Sequence, residues 1–178
     1  YLKKRHQLRN GHYLANYMSS HDETMALYEL GYDKDKFKLC VTLQMTSLGI
    51  PVIYYGEEVG RLGSVWPTNR KDMPWGSRDI SPGKGVSRDD SLRDFYKRLI
   101  KIRRAHPALS RGDYRILSDK KDELLVFGRE DLASGDTVIV AVNRSNDTGQ
   151  RSVVEGKRVS HAGGGDMRLE KLRRGTRL

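Results

Sequence analysis

The longest apolar run in the chain, residues 48–55, is eight residues long and is interrupted by Gly49 and Pro51. A helix that spans a bilayer needs about 20 apolar residues, so this run is no membrane span. Its strand-like part, residues 51–55, is nearly continuous in apolar residues and fits a short strand buried on both faces, the kind found in parallel sheets covered by helices. The surrounding pattern agrees. Residues 12–18 form a second short aromatic and apolar run. Between the two, Phe37, Leu39, Cys40, Leu43, Met45 and Leu48 space out an amphipathic or mostly buried helix over 36–48. Asp33 or Asp35 can cap its start, and Gly49 closes it. Residues 1–10 suit the end of an earlier helix, stopped by Gly11.

A loop over 59–90 follows, with three of the five prolines and both tryptophans, Trp66 and Trp75. Loops this long inside a domain are usually functional. Leu92, Phe95, Leu99 and Ile102 then line one face of a helix over 91–105, with Asp90 as its cap. Pro107 ends it, because the residue before a proline is pushed out of the helical region. Strand, helix, strand, loop and helix in this order predict an α/β unit with a parallel sheet. Beyond Ser110, short β-rich runs at 114–117, 124–129 and 137–143 alternate with polar turns and predict a small antiparallel all-β domain. After Asn146 no clear strand pattern remains. The expected boundaries are 1–109 for the first unit and 110–178 for the second, which is ill-defined after about 150.

The 178 residues carry a net charge of +10 at a mean hydropathy of −0.69. Residues 1–10 hold +4 and residues 151–178 hold +5, which leaves +1 for the central 140 residues. A nucleic-acid binder needs a positive stripe that tracks phosphates. Charge confined to the two ends reads instead as solvated tails, or as the cut edges of a longer chain. The start at Tyr1, inside a basic helical stretch and with no signal peptide, fits the interior of a longer protein. Cys40 is the single cysteine, which excludes an internal disulfide and a Cys-based zinc site.

Two polar clusters sit just past the predicted strands, where parallel α/β folds bind their ligands. Ser20-His21-Asp22-Glu23 follows the first. It serves either as a site or as a cap for the next helical turn. Three adjacent residues cannot form a Ser-His-Asp triad, and His21 and Glu23 lack further partners for a metal. Glu57-Glu58 follows the second strand. Adjacent carboxylates usually point apart, so capping, ion pairing and loop anchoring stand beside a glycosidase pair. Trp66, Arg70 and Trp75 either stack on and hydrogen-bond a sugar, or pin the loop to the body.

Four strings in order resemble the α-amylase family. Tyr17-Met18-Ser19-Ser20-His21-Asp22 resembles the segment that follows the seventh strand of that family's (β/α)8 barrel. Residues 48–58 are similar to its eighth strand, Asn69-Arg70-Lys71-Asp72-Met73-Pro74-Trp75 to its Arg-x-x-Met-x-Trp loop, and residues 95–109 to its last barrel helix. The resemblance covers about residues 10–145. It implies the last quarter of a (β/α)8 barrel followed by a small antiparallel β domain. The implied activity is that of a retaining hydrolase or transglycosylase of α-glucans.

By the same resemblance Asp22 is the acid that stabilises the transition state, and His21 binds hydroxyls of the same sugar. Arg70 and Glu57 are expected near that sugar. No cofactor is implied; calcium occurs in parts of the family, and no full oxygen cage is visible here. The partners expected are an α-glucan or oligosaccharide and the missing N-terminal barrel segment, with no nucleic acid and no membrane. The nucleophile and the general acid/base would lie in that missing segment, so the chain alone is expected to be inactive. A noncatalytic binding or assembly module of the same family is the alternative.

Overall fold

The computed structural model describes residues 13–118, 123–143 and 145, and the backbone of the strand Ser152–Arg158. The expected helix over 1–10 and the Gly-rich, Arg-rich end lie outside the described residues. Strands β1 (Ala15–Asn16) and β2 (Ile50–Pro51) pair in parallel, with Ala15 opposite Ile50 and Asn16 opposite Pro51. The short helix α1 (Ala26–Glu29) and the longer α2 (Lys34–Thr46) connect them. After β2 come two 3-10 turns, Glu57–Val59 and Thr68–Arg70, and then helix α3 (Asp90–Ala105). A short helix α4 (Pro107–Arg111) leads into a four-stranded antiparallel sheet in the order β3-β4-β5-β6. Its strands are β3 (Asp113–Ile116), β4 (Leu124–Asp131), β5 (Asp136–Asn143) and β6 (Ser152–Arg158).

Helix starts follow their caps. Asp33 Oδ1 accepts from the N–H groups of Asp35 and Lys36, and Asp89 Oδ1 accepts from those of Ser91 and Leu92. The cap of α3 is therefore Asp89 and not Asp90, which instead pairs with Arg88. Pro107 does more than stop α3. It sits in the first turn of α4, where its missing N–H costs nothing.

Helix α2 is buried nearly all round and faces two cores. Phe37, Val41 and Met45 join Leu92, Phe95, Tyr96 and Leu99 in one cluster. Leu39 joins Ala108, Leu109, Phe127, Val138, Val140 and Val142 in the other. Ile102 packs against both. The boundary expected at 109/110 falls inside α4, which packs into the second core. Two arginines join the units across α2. Arg129, fully buried on β4, donates to the carbonyls of Thr46, Gly112 and Asp113. Arg103 on α3 donates to those of Met45, Ser47 and Gly49.

The strands β1 and β2 depart from the expectation of burial on both faces. Leu14, Asn16 and Met18 are half-buried, whereas Tyr13, Ala15 and Tyr17 are exposed. Ile50 and Val52 share that exposed face through the register. Among the described residues the two strands pair only with each other, over two residues each. Gln44 ties the two strands together, donating through Nε2 to the carbonyls of Asn16 and Val52. Strand β6 was not legible in the sequence, which is polar over Ser152–Arg158. Among the described residues no helix is long and apolar enough to cross a membrane.

An open parallel pair with an exposed aromatic and aliphatic face favours self-association. Sedimentation velocity on the chain is expected to show oligomers that dissociate on Tyr17→Lys plus Val52→Lys. A sharp monomer boundary for the unsubstituted chain would contradict this.

Candidate functional site

The loops that leave β1 and β2 meet beside Asp22. Ser19 is buried, and its hydroxyl accepts from the N–H of Ala26, which starts α1. Ser20 turns the chain, its hydroxyl accepting from the N–H of Asp22. His21 and Asp22 are thereby carried out to the surface. His21 Nε2 lies 3.1 Å from Asp22 Oδ2, and the two side chains are 62% and 70% exposed. Arg70 approaches from the other loop. Its Nε donates to the His21 carbonyl at 3.1 Å, and its Nη2 to Asp22 Oδ1 at 3.4 Å.

Behind this trio the contacts are buried. Asn69, fully enclosed, donates through Nδ2 to the carbonyls of His21 and Glu23. Arg61 is also buried and holds Asn69 from beneath. It donates to the carbonyls of Asn69 and Lys71 through Nη1, to that of Tyr55 through Nε, and to Met25 Sδ through Nη2. Its guanidinium carbon stands 4.1 Å from the centre of the Tyr55 ring, a cation–π contact. Gly56 is required here: it sits at φ +84°, and a Cβ there would fall 2.6 Å from Arg61 Nε.

The structure thus brings Asp22, His21 and Arg70 together. Glu57 it sets apart. That side chain is 1% exposed, with Oε2 accepting from the N–H of Tyr54 at 3.1 Å. Burial pushes its carboxyl up to about 7, aided by the neighbouring Glu58 charge and opposed by the Tyr54 N–H and the Ser19 hydroxyl. Glu57 is therefore a strut beneath the strand ends, and the expectation that it contacts a sugar does not fit its burial. The loop tryptophans also separate. Trp66 is 68% exposed on the turn before Asn69, whereas Trp75 is half-buried and its backbone N–H donates to the Gly83 carbonyl. Among the described residues no three His, Cys, Asp or Glu side chains are grouped so as to hold a metal ion.

Chemically, the trio presents a solvated carboxylate fixed between an imidazole and a guanidinium. Both flanking groups orient it, and its lone pairs remain free to accept hydroxyl protons. Asn69 and Arg61 were not singled out by sequence reasoning. Asn69 stood inside the recognised loop motif, but nothing in the sequence marks Arg61 as buried.

The sequence matches the family model described as "Alpha amylase, catalytic domain" over residues 1–89. It is 37% identical over 131 residues to a cyclomaltodextrinase from Bacillus sp, covering 73% of this chain and 22% of that protein. It is 38% identical over 117 residues to neopullulanase 2 from Thermoactinomyces vulgaris, covering 65% and 19%. Among solved structures, the Nostoc punctiforme debranching enzyme superposes with a TM-score of 0.63 at 30% identity, covering 74% of this chain and 24% of that one. The chain spans about a fifth of the length of the curated relatives it matches.

Two outcomes follow. Arg61→Met removes donors from the carbonyls of Asn69, Lys71 and Tyr55, the first in a buried contact and the others part-buried, and is expected to destabilise the chain by about 3 kcal/mol. Amide exchange should quicken across 21–25 and 68–71 but not across β4 and β5. Glu57 supplies a pH dependence. Its carboxyl is raised in the folded state, so its contribution is fully present below about 4.5 and is lost as pH rises to about 7. Urea unfolding at fixed protein concentration should show Glu57→Gln removing about 3 kcal/mol of that decline.

Proposed function

The chain belongs to the alpha-amylase family, and on that premise we propose that it is the C-terminal part of an α-glucan-acting glycosidase or transglycosylase. In this reading β1 and β2 are the seventh and eighth strands of a (β/α)8 barrel, and the four-stranded sheet is the C-terminal β domain. The exposed face of Tyr17 and Val52 is then the inner wall of the barrel. Two further groups fit an uncovered edge. Glu58 Oε2 and Tyr96 Oη are buried without a hydrogen-bond partner among the described residues. Both line a cavity of about 340 Å³ with Ile53, Tyr55, Arg93 and Lys97.

The observation that carries the reading is the convergence of Asp22, His21 and Arg70 at the strand ends. Asp22 accepts hydrogen bonds from the hydroxyls of one sugar ring, and His21 and Arg70 bind beside it. As a glycosidic bond breaks, positive charge develops on the ring. A fixed carboxylate gains interaction energy at that moment and so lowers the barrier. Retaining hydrolysis needs two further carboxylates about 5–5.5 Å apart, one as nucleophile and one as acid/base. The resemblance assigns these to the segment that precedes this chain in its parent. Similarity to a cyclomaltodextrinase and a neopullulanase supports an α-glucan as the substrate class.

The test has two arms. The isolated chain is expected to release no maltose from soluble starch. In the parent protein, Asp22→Ala is expected to lower kcat by about 10²–10³-fold while the protein stays folded. Maltose release by the chain alone, absent from its Asp22→Ala control, would overturn the division of labour. An unchanged kcat in the parent would remove Asp22 from the mechanism.

A further inference from the structure

The cavity that holds Glu58 Oε2 and Tyr96 Oη is bounded by Ile53 and Tyr55, just past β2, and by α3. Among the described residues, none of β1, α1 or α2 lines it. Strand β1 ladders on one edge of β2, so the cavity opens at the other, where a barrel sets its next unit. We propose that the first strand and helix of the barrel, from the segment that precedes this chain, insert one basic side chain into this cavity to form a buried ion pair with Glu58. The identity of the segment rests on the barrel reading given above, whereas the need for a cation rests on the cavity itself.

Tyr96 is 2% exposed, yet its hydroxyl has no hydrogen-bond partner among the described residues. Its ring belongs to the first core cluster, which keeps the oxygen from swinging out to water. Burial pushes the hydroxyl up, and the charges of Glu57 and Glu58 push it further. It stays protonated and calls for an acceptor. Glu58 Oε2 and its neighbour Glu57 Oε1 are also buried without a partner among the described residues. A buried polar atom left unpaired is costly, and a buried charge more so. Two cations of this chain stand at the rim and do not meet the need. Arg93 and Lys97 line the cavity but leave Glu58 Oε2 unbonded, and Lys97 Nζ lies 3.3 Å from Asp94 instead.

The occupant must therefore donate to a carboxylate and offer an acceptor to a phenol. A free cation does only the first. A segment of polypeptide does both, through a basic side chain and a backbone carbonyl. The walls agree. Ile100 and Tyr55 are 36% and 41% exposed and present apolar surface beside Ile53. Such a wall packs the aliphatic stem of a long basic side chain while its charged head reaches inward. Arginine suits the place better than lysine, because its planar fork meets several acceptors and is more weakly hydrated. Chain to fill the cavity is ample in the relatives, since the matched stretch is only 22% of one and 19% of another.

The experiment measures urea unfolding of the parent protein and of this chain. Glu58→Gln is expected to raise the unfolding equilibrium constant of the parent about 100-fold, the scale of breaking a buried pair. In this chain, where Glu58 is unpaired, the same change should leave the unfolding midpoint unchanged or raise it. Tyr96→Phe keeps the ring in the core and should show the same contrast at about tenfold; it carries the comparison if the first variant of the parent does not fold. The cation is located by changing each Lys and Arg of the first strand, the first helix and the loop between them to Met, with and without Glu58→Gln. One position is expected to cost about 100-fold with Glu58 in place and far less with Glu58→Gln. Equal losses in parent and chain overturn the proposal, as does coupling to Arg93 or Lys97 in place of the preceding segment, or to no residue at all. Starch hydrolysis is read on the same preparations. An active parent without a coupled cation removes the ion pair alone, and an inactive parent with one removes the catalytic reading alone.

Discussion

A buried guanidinium, that of Arg61, holds the two loops of the site in one frame. Neither loop has a sheet ladder to satisfy its carbonyls, and buried carbonyls without donors cost free energy comparable to a lost hydrogen bond. One planar fork of five N–H groups meets that need at several points. It fastens the loop after β2 through Tyr55, the 69–71 segment through Asn69 and Lys71, and the start of α1 through Met25. Asn69, once fixed, aligns the His21 and Glu23 carbonyls. The surface geometry of Asp22 is thus set two contacts away from it.

The same device recurs at the end of α2. Its last carbonyls, and those just after it, point toward the joint between the parallel strands and the β sheet. Arg103 and Arg129 reach them from α3 and β4. A helix C-terminus carries partial negative charge, so cations are favoured there. Part of the basic character of the chain is therefore structural wiring. Charge counting by segment could not tell such internal arginines from solvated ones.

What the sequence discloses divides along physical lines. The two long helices declared themselves because cap and apolar spacing are local properties, as Asp33 and the row Leu92, Phe95, Leu99 and Ile102 demonstrate. The polar cluster after an apolar run marked His21 and Asp22 as lying at a strand end, and only the family resemblance favoured a site there over a helix cap. Glu57 sits at an equivalent place and turned inward instead. Residue type alone does not give side-chain direction, and that direction depends on the buried Tyr54 N–H. The apolar content of β1 and β2 implied two covered faces, and one is bare; sequence records what a strand is suited to touch, not what is present to touch it. Arg61 and Asn69 acquire their roles only through residues distant in the chain.

That bare face bears on the chemistry as well as on solubility. With its side chain 70% exposed, Asp22 stands in nearly bulk water. There a unit charge at 4 Å is worth about 1 kcal/mol, against about 4 kcal/mol at the effective dielectric of a protein surface cleft. A carboxylate placed to stabilise a developing positive charge gains most of its effect only when water is excluded around it. On the reading proposed for this chain, the segment that covers Tyr17, Ile50 and Val52 supplies two things at once. It brings the missing carboxylates, and it raises the electrostatic worth of the one already in place. Restoring a nucleophile to an uncovered surface would therefore not restore catalysis. The cover and the reacting groups form one requirement.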